Sequence, residues 1–158
     1  YIIVNNFIYG LTNSQASPTT PEGMWAITHP LGSYEPTFNI TDLAIASGAT
    51  FVARSTTDLY RLRKILVAGY KHKGMSVIEI MSACPVNFGR KNEMEDPLDM
   101  DQWINDIAIP LKEYEKLGEL EKKNKFPIGI LKQDNSRKEY GDVYREMCTS
   151  LKNAKRGK

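Results

Sequence analysis

Short apolar runs of strand length alternate along this chain with stretches whose apolar residues recur at helical spacing. That alternation predicts an α/β domain with a largely parallel sheet flanked by helices. Tyr1–Val4 is a β-branched apolar run suited to a buried central strand. It has no initiator Met, cap or polar lead-in, so the chain is expected to open in mid-strand with an N-terminal portion missing. The polar Gly10–Glu22 loop that follows is longer than most connections and therefore a candidate for function.

Thr41 is expected to cap a helix over Asp42–Ser47 that Gly48 ends, with Thr50–Arg54 as the next strand. Ser55 to Thr57 then cap a helix whose Leu59, Leu62, Ile65 and Leu66 share a face, and Gly74 stops it. Met75–Met81 is a strand that delivers Ser82, Ala83 and Cys84 to its carboxyl end. After an irregular Gly89–Leu98 come a helix from about Met100 to Ile107, which Pro110 must end, and an exposed helix over Lys112–Lys123. Pro127–Leu131 is a final strand, and Tyr140–Lys155 a closing helix with Val143, Met147, Cys148 and Leu151 toward the core.

Composition adds class and little chemistry. The 158 residues, 41% hydrophobic and 25% charged, suit one globular domain over 1–158. A net charge of +2 is too mild to argue for nucleic acid, and Lys152, Lys155, Arg156 and Lys158 read as a solvated, fraying tail. No apolar run is long enough for a membrane span or signal peptide. Two cysteines, Cys84 and Cys148, form no disulfide framework and suit a reducing compartment, so a cytoplasmic location is expected and the sequon at Asn39 reads as chance.

In open α/β sheets, ligands bind outside the carboxyl ends of strands, which directs attention to Asn5-Asn6-Phe7-Ile8-Tyr9-Gly10. An Asn side-chain oxygen and a nearby carbonyl are hard donors suited to Mg2+, although Asn pairs also serve ordinary turns. The run Asn5 to Pro21 closely resembles the loop of the thiamine diphosphate subunit of 2-oxoacid:ferredoxin oxidoreductases. Similar segments follow at Pro30-Leu31-Gly32-Ser33, Leu43 to Arg54, Lys71 to Gly74, Ile78-Glu79, Ser82-Ala83-Cys84-Pro85, Asn87 to Asn92 and Phe126 to Ile130. The 2-oxoglutarate type of β subunit is the one they look most like.

The resemblance implies a thiamine diphosphate-binding fold in which 1–88 is the cofactor-site half and 89–158 a C-terminal extension. It implies Mg2+ ligation by the Asn6 side chain and the Ile8 carbonyl. Tyr9, Gly10, Leu11 and Thr12 would line the cofactor, with Gln15 in the loop over it, and Cys84 would be one ligand of a 4Fe-4S cluster. The Gly-Asp-Gly half of the family's site is absent from this sequence. The expected activity is oxidative decarboxylation of a 2-oxoacid, 2-oxoglutarate or pyruvate, to its acyl-CoA with reduction of ferredoxin. An alpha subunit is expected as partner and as the source of the catalytic glutamate, leaving this chain inactive alone.

Two rival readings remain: a non-oxidative thiamine diphosphate decarboxylase or synthase, and a non-catalytic α/β fragment. His29 and His72 read as exposed histidines, since neither has a second ligand at metal spacing. Glu93, Glu95, Asp96, Asp99 and Asp101 suit a helix N-terminus, Trp25 and Trp103 the core or a subunit contact, and Cys148 the core. Asn13-Ser14 stands where the family often has Gly-Gly, losing glycine's backbone freedom at the second position.

Overall fold

The computed structural model describes residues 1–156, with side chains through Asn153. The basic tail expected at Lys155, Arg156 and Lys158 lies outside the described side chains.

Among the described residues seven strands and six α-helices follow in the order β1 (Ile2–Asn5), β2 (Ile8–Tyr9), β3 (Gln15–Ala16), α1 (Ile40–Ala46), β4 (Phe51–Thr56), α2 (Leu59–Lys71), β5 (Ser76–Met81), α3 (Pro97–Ile107), β6 (Ala108–Pro110), α4 (Leu111–Tyr114), α5 (Glu119–Lys122), β7 (Phe126–Gln133) and α6 (Tyr140–Arg156). The main sheet has the order β1-β5-β4-β7-β6, and β2 pairs with β3 in a separate antiparallel hairpin. Strands β1, β5 and β4 run parallel, as the alternating pattern predicts. Strand β7 runs against β4, with a register shift between Val52 and Ala53, and β6 runs parallel to β7.

Period-two alternation divides the central strands between two layers. Phe51, Ala53, Ile78 and Ile80 pack with Ile65 of α2 on one face, while Val52 and Val77 pack with Ala44 and Ala49 on the other. Nearer the carboxyl ends of the strands, this second face turns polar at Arg54, Glu79 and Asn5, all buried. A third cluster lies beneath the loop that follows β1 and joins Phe7, Met81, Phe88, Met100, Ile104 and Ile128.

Several boundaries move for local reasons. Asn39, not Thr41, caps α1, because its side chain accepts from the Thr41 and Asp42 amides; Thr41 is itself buried. Asp58 caps α2 by accepting from the Arg61 amide, so Ser55 and Thr56 remain in β4. Asp96 caps α3 with Pro97 in its first turn, and Asp99 follows there, in keeping with the dipole reading of the acidic patch. The exposed helix expected over Lys112–Lys123 is instead two one-turn helices, broken at Leu117-Gly118.

Larger corrections concern burial. Strand β1, expected to be central, has one sheet neighbour among the described residues, β5, and its Ile2 and Val4 are exposed. An apolar run specifies pairing and says little about position in a sheet. Leu59, expected on the inner face of α2, is exposed. Helix α6 forms where expected, but Val143, Met147 and Leu151 are about half exposed, and no α6 residue belongs to a described core cluster. Cys148 is therefore only partly buried.

Candidate functional site

The turn between β1 and β2 is fixed from three directions. Asn5 Oδ1 accepts from the Phe7 amide at 3.0 Å and from Thr19 Oγ1 at 2.8 Å, while Thr20 Oγ1 donates to the Phe7 carbonyl at 2.6 Å. The buried Phe7 ring meets Phe88, Trp103 and Phe126 at centroid distances of 6.0, 5.5 and 6.2 Å. These contacts hold Phe7 at φ 65°, a left-handed conformation that side-chain-bearing residues adopt only when their surroundings over-determine it.

With Asn5 so engaged, Asn6 and Ile8 flank the strained residue. Asn6 is half-buried, and its Oδ1 accepts only a long 3.4 Å bond from the Ile8 amide. Both residues line a cleft of about 560 Å3 together with Val4, Tyr9, Thr19 and Phe38. An amide oxygen and a main-chain carbonyl on one turn suit a hard divalent cation, so these two residues fit the Mg2+ expected of them.

The other expected cofactor residues divide. Tyr9 shares the cleft with Asn6 and Ile8. Gly10, Leu11 and Thr12 form the tip of the β2–β3 hairpin, where Leu11 is fully exposed, and Gln15 lies on the return strand, outside the cleft lining. Asn13 and Ser14 are both left-handed, at φ 64° and 67°. Ser14 reaches that conformation without being glycine, with its amide donating to the Tyr9 carbonyl at 3.1 Å.

Cys84 sits in the loop after β5, partly buried, its amide donating to Met100 Sδ at 3.1 Å. Among the described residues no group of three or more His, Cys, Asp or Glu side chains could hold a metal ion. With Cys148 as the only other cysteine, this chain does not fit a complete four-thiolate cluster site.

The polar row beneath the turn went without a role in the sequence reading. Arg54 and Glu79 are register partners on β4 and β5, 1% and 3% exposed, with Arg54 Nε donating to Glu79 Oε2 at 2.7 Å. Glu79 Oε1 accepts from Asn5 Nδ2 at 2.8 Å. Arg54 Nη2 donates to Asn39 Oδ1 at 2.6 Å and Thr41 Oγ1 at 2.9 Å, and Nη1 to the Pro127 carbonyl at 3.2 Å. One charged residue of opposite sign inside each of two otherwise uncharged strands was the available signal.

Neither histidine is an exposed one. His72 Nε2 lies 2.8 Å from Thr50 Oγ1 and its ring packs against Phe51; His29 is half-buried beside Tyr34. Trp103 is part of the aromatic cluster, and the Trp25 backbone is bracketed by the Asn92 side chain.

Comparison with known proteins follows the same lines. Residues 1–80 match the family described as thiamine pyrophosphate enzyme, C-terminal TPP binding domain. A 2-oxoglutarate synthase subunit KorB of Methanothermobacter marburgensis is 40% identical over 95% of this chain and 50% of its own length. A 2-oxoacid:ferredoxin oxidoreductase subunit beta of Saccharolobus solfataricus is 41% identical over 53% of this chain and 28% of its own. A chain of the solved 2-oxoglutarate:ferredoxin oxidoreductase from Magnetococcus marinus, with 2-oxoglutarate, coenzyme A and succinyl-CoA bound, superposes with a TM-score of 0.71. It is 25% identical, over 94% of this chain and 52% of that one. The chain thus spans about half the length of the first of these relatives and of the solved chain. No helix among the described residues is long and apolar enough to cross a membrane.

Proposed function

We propose, since the chain belongs to the thiamine pyrophosphate enzyme family through its C-terminal TPP-binding domain, that it is the diphosphate-anchoring part of the β subunit of a 2-oxoacid:ferredoxin oxidoreductase acting on 2-oxoglutarate. The observation that carries this reading is the turn that presents Asn6 and Ile8 to one cleft at the carboxyl end of β1. When bound, thiamine diphosphate supplies the carbanion that adds to the 2-oxoacid carbonyl and accepts the electron pair left as CO2 departs.

This chain's residues bind and orient. Asn6 Oδ1 and the Ile8 carbonyl would offer two oxygens to Mg2+, Tyr9 would wall the cleft beside them, and Gly10, Leu11 and Thr12 would line the cofactor with Gln15 in the loop over it. Residues 1–88 provide this cofactor side, and 89–158 extend the sheet. Cys84 contributes a single thiolate to a 4Fe-4S cluster whose remaining ligands come from outside this sequence. An alpha subunit supplies the glutamate that activates the cofactor, and coenzyme A and ferredoxin take the acyl group and the electrons in the cytoplasm.

The test is an Asn6→Ala substitution in the full-length subunit, titrated with thiamine diphosphate and Mg2+. Cofactor affinity is expected to fall at least about tenfold, in line with losses at metal sites. Wild-type affinity would sink the assignment. In the assembled complex, coenzyme A-dependent reduction of ferredoxin is expected with a higher kcat/KM for 2-oxoglutarate than for pyruvate, and the reverse order would reassign the substrate.

A further inference from the structure

A buried ion pair is weak support for a fold, because taking two charges out of water offsets most of what their attraction returns. Arg54 and Glu79 are nonetheless among the least exposed side chains of the molecule. Neither lines the cleft that holds Asn6 and Ile8, so neither meets a ligand bound there directly.

Their hydrogen bonds converge on the segments that enclose the β1–β2 turn. Glu79 spends one oxygen on Arg54 and the other on Asn5, whose own oxygen fixes the Phe7 amide and Thr19. Arg54 grips Asn39 and Thr41, where the long loop enters α1, and the Pro127 carbonyl at the start of β7. Its guanidinium carbon also stands 5.3 Å over Phe126, a ring of the cluster that clamps Phe7. Phe7 at φ 65° is the residue that needs such over-determination.

We infer that the Arg54–Glu79 pair is a positioning element for the Asn6–Ile8 turn, acting through Asn5 and Phe7 to keep both oxygen donors facing one cleft. The inference rests on the proposed metal role of that turn. Glu79 orients the Asn5 amide so that its oxygen points at Phe7 and Thr19, and Arg54 holds Glu79 in place. Without the pair, Asn5 is released, Phe7 relaxes toward ordinary backbone angles and the donors diverge.

The test compares the full-length subunit, in its assembled complex, with three variants: Asn6→Ala, the paired Arg54→Met with Glu79→Leu, and the combination of all three changes. Mn2+ with saturating thiamine diphosphate is the probe, followed by its electron paramagnetic resonance, and urea unfolding is measured in parallel. Removing both charges together avoids stranding one of them, so the unfolding midpoint is expected to stay near that of the parent. Mn2+ affinity is expected to fall by at least about tenfold, as it does when groups that orient metal ligands are lost.

In the combined variant the loss of Mn2+ affinity is expected to be smaller than the product of the separate losses, since the pair and Asn6 act on the same ion. Parent-like affinity in the paired variant overturns the inference, as does a combined loss equal to the product of the separate ones. Parent-like affinity in Asn6→Ala removes the metal reading beneath it, and the inference falls with it. If the paired variant does not accumulate, Asn5→Ala gives the same readout, because it cuts the bonds that join Glu79 to Phe7 and Thr19. Parent-like Mn2+ affinity in that variant would equally overturn the inference.

Discussion

The turn after β1 and the closing helix α6 both set apolar residues among polar ones, yet they end in opposite environments. Around the turn, Phe7, Phe88 and Thr20 are all but fully buried, and every polar atom of the Arg54–Glu79 pair has a partner. Along α6, the stripe of Val143, Met147 and Leu151 lies open, and the helix's ion pairs, Lys138–Glu146 and Arg145–Asp142, are local in sequence. Periodicity therefore finds a helix and its apolar face but does not say whether anything covers that face. Polar residues stranded in apolar strands are the better guide to where distant segments meet.

That contrast can be broken most sharply at Arg54. Arg54→Met alone leaves Glu79 buried and unpaired and is expected to destabilise the protein by about 3–5 kcal/mol in urea unfolding. A loss under about 1 kcal/mol would mean that Glu79 finds another partner instead. Next, Ile104→Ala beneath the turn should cost roughly 2–5 kcal/mol, because its buried surroundings cannot collapse fully.

Asn39→Ala removes the α1 cap and one of the Arg54 contacts, for about 1–2 kcal/mol by the same measurement. Leu151→Ser on the open stripe is expected to stay within about 0.5 kcal/mol, and a larger loss would show that α6 is covered in solution.

The smallest effect is at Asp134, in the exposed stretch before α6. Ser136 donates to its carboxylate from both its hydroxyl, at 2.6 Å, and its amide, at 2.9 Å, which holds the carboxyl below its ordinary range. A lowered native value favours the folded state above the ordinary carboxylate range, and that contribution fades as pH falls through the lowered value. Carbon NMR of the carboxyl should show Ser136→Ala titrating higher than wild type, and coincident curves would refute the bond.

The sequence made the βαβ body legible because β4, β5 and α2 follow their periods closely. It also directed attention to Asn6 and Ile8, although there a family resemblance supplied the chemistry that spacing alone left open. The exposure of Ile2 and Val4 on β1 was not legible, since the Tyr1–Val4 run would look the same with a neighbour on both sides. Caps were misplaced at Thr41 and Ser55 because Asn39 and Asp58 are the residues whose side chains accept from the first-turn amides of α1 and α2. Arg54 and Glu79 were read only as strand residues, since their partnership spans 25 positions and exists only once the two strands align in register.

The reversal of β7 has a consequence in time. Because β7 runs against β4, its first residues reach the same end of the sheet as the carboxyl ends of β1, β4 and β5, and the Pro127 carbonyl meets Arg54 across 73 positions. At ordinary rates of synthesis those positions take roughly 4–15 s to add. During that interval a nascent chain holds Arg54 with one anchor unmade, so the grip on the β1–β2 turn is completed only when the last of the described strands has been added.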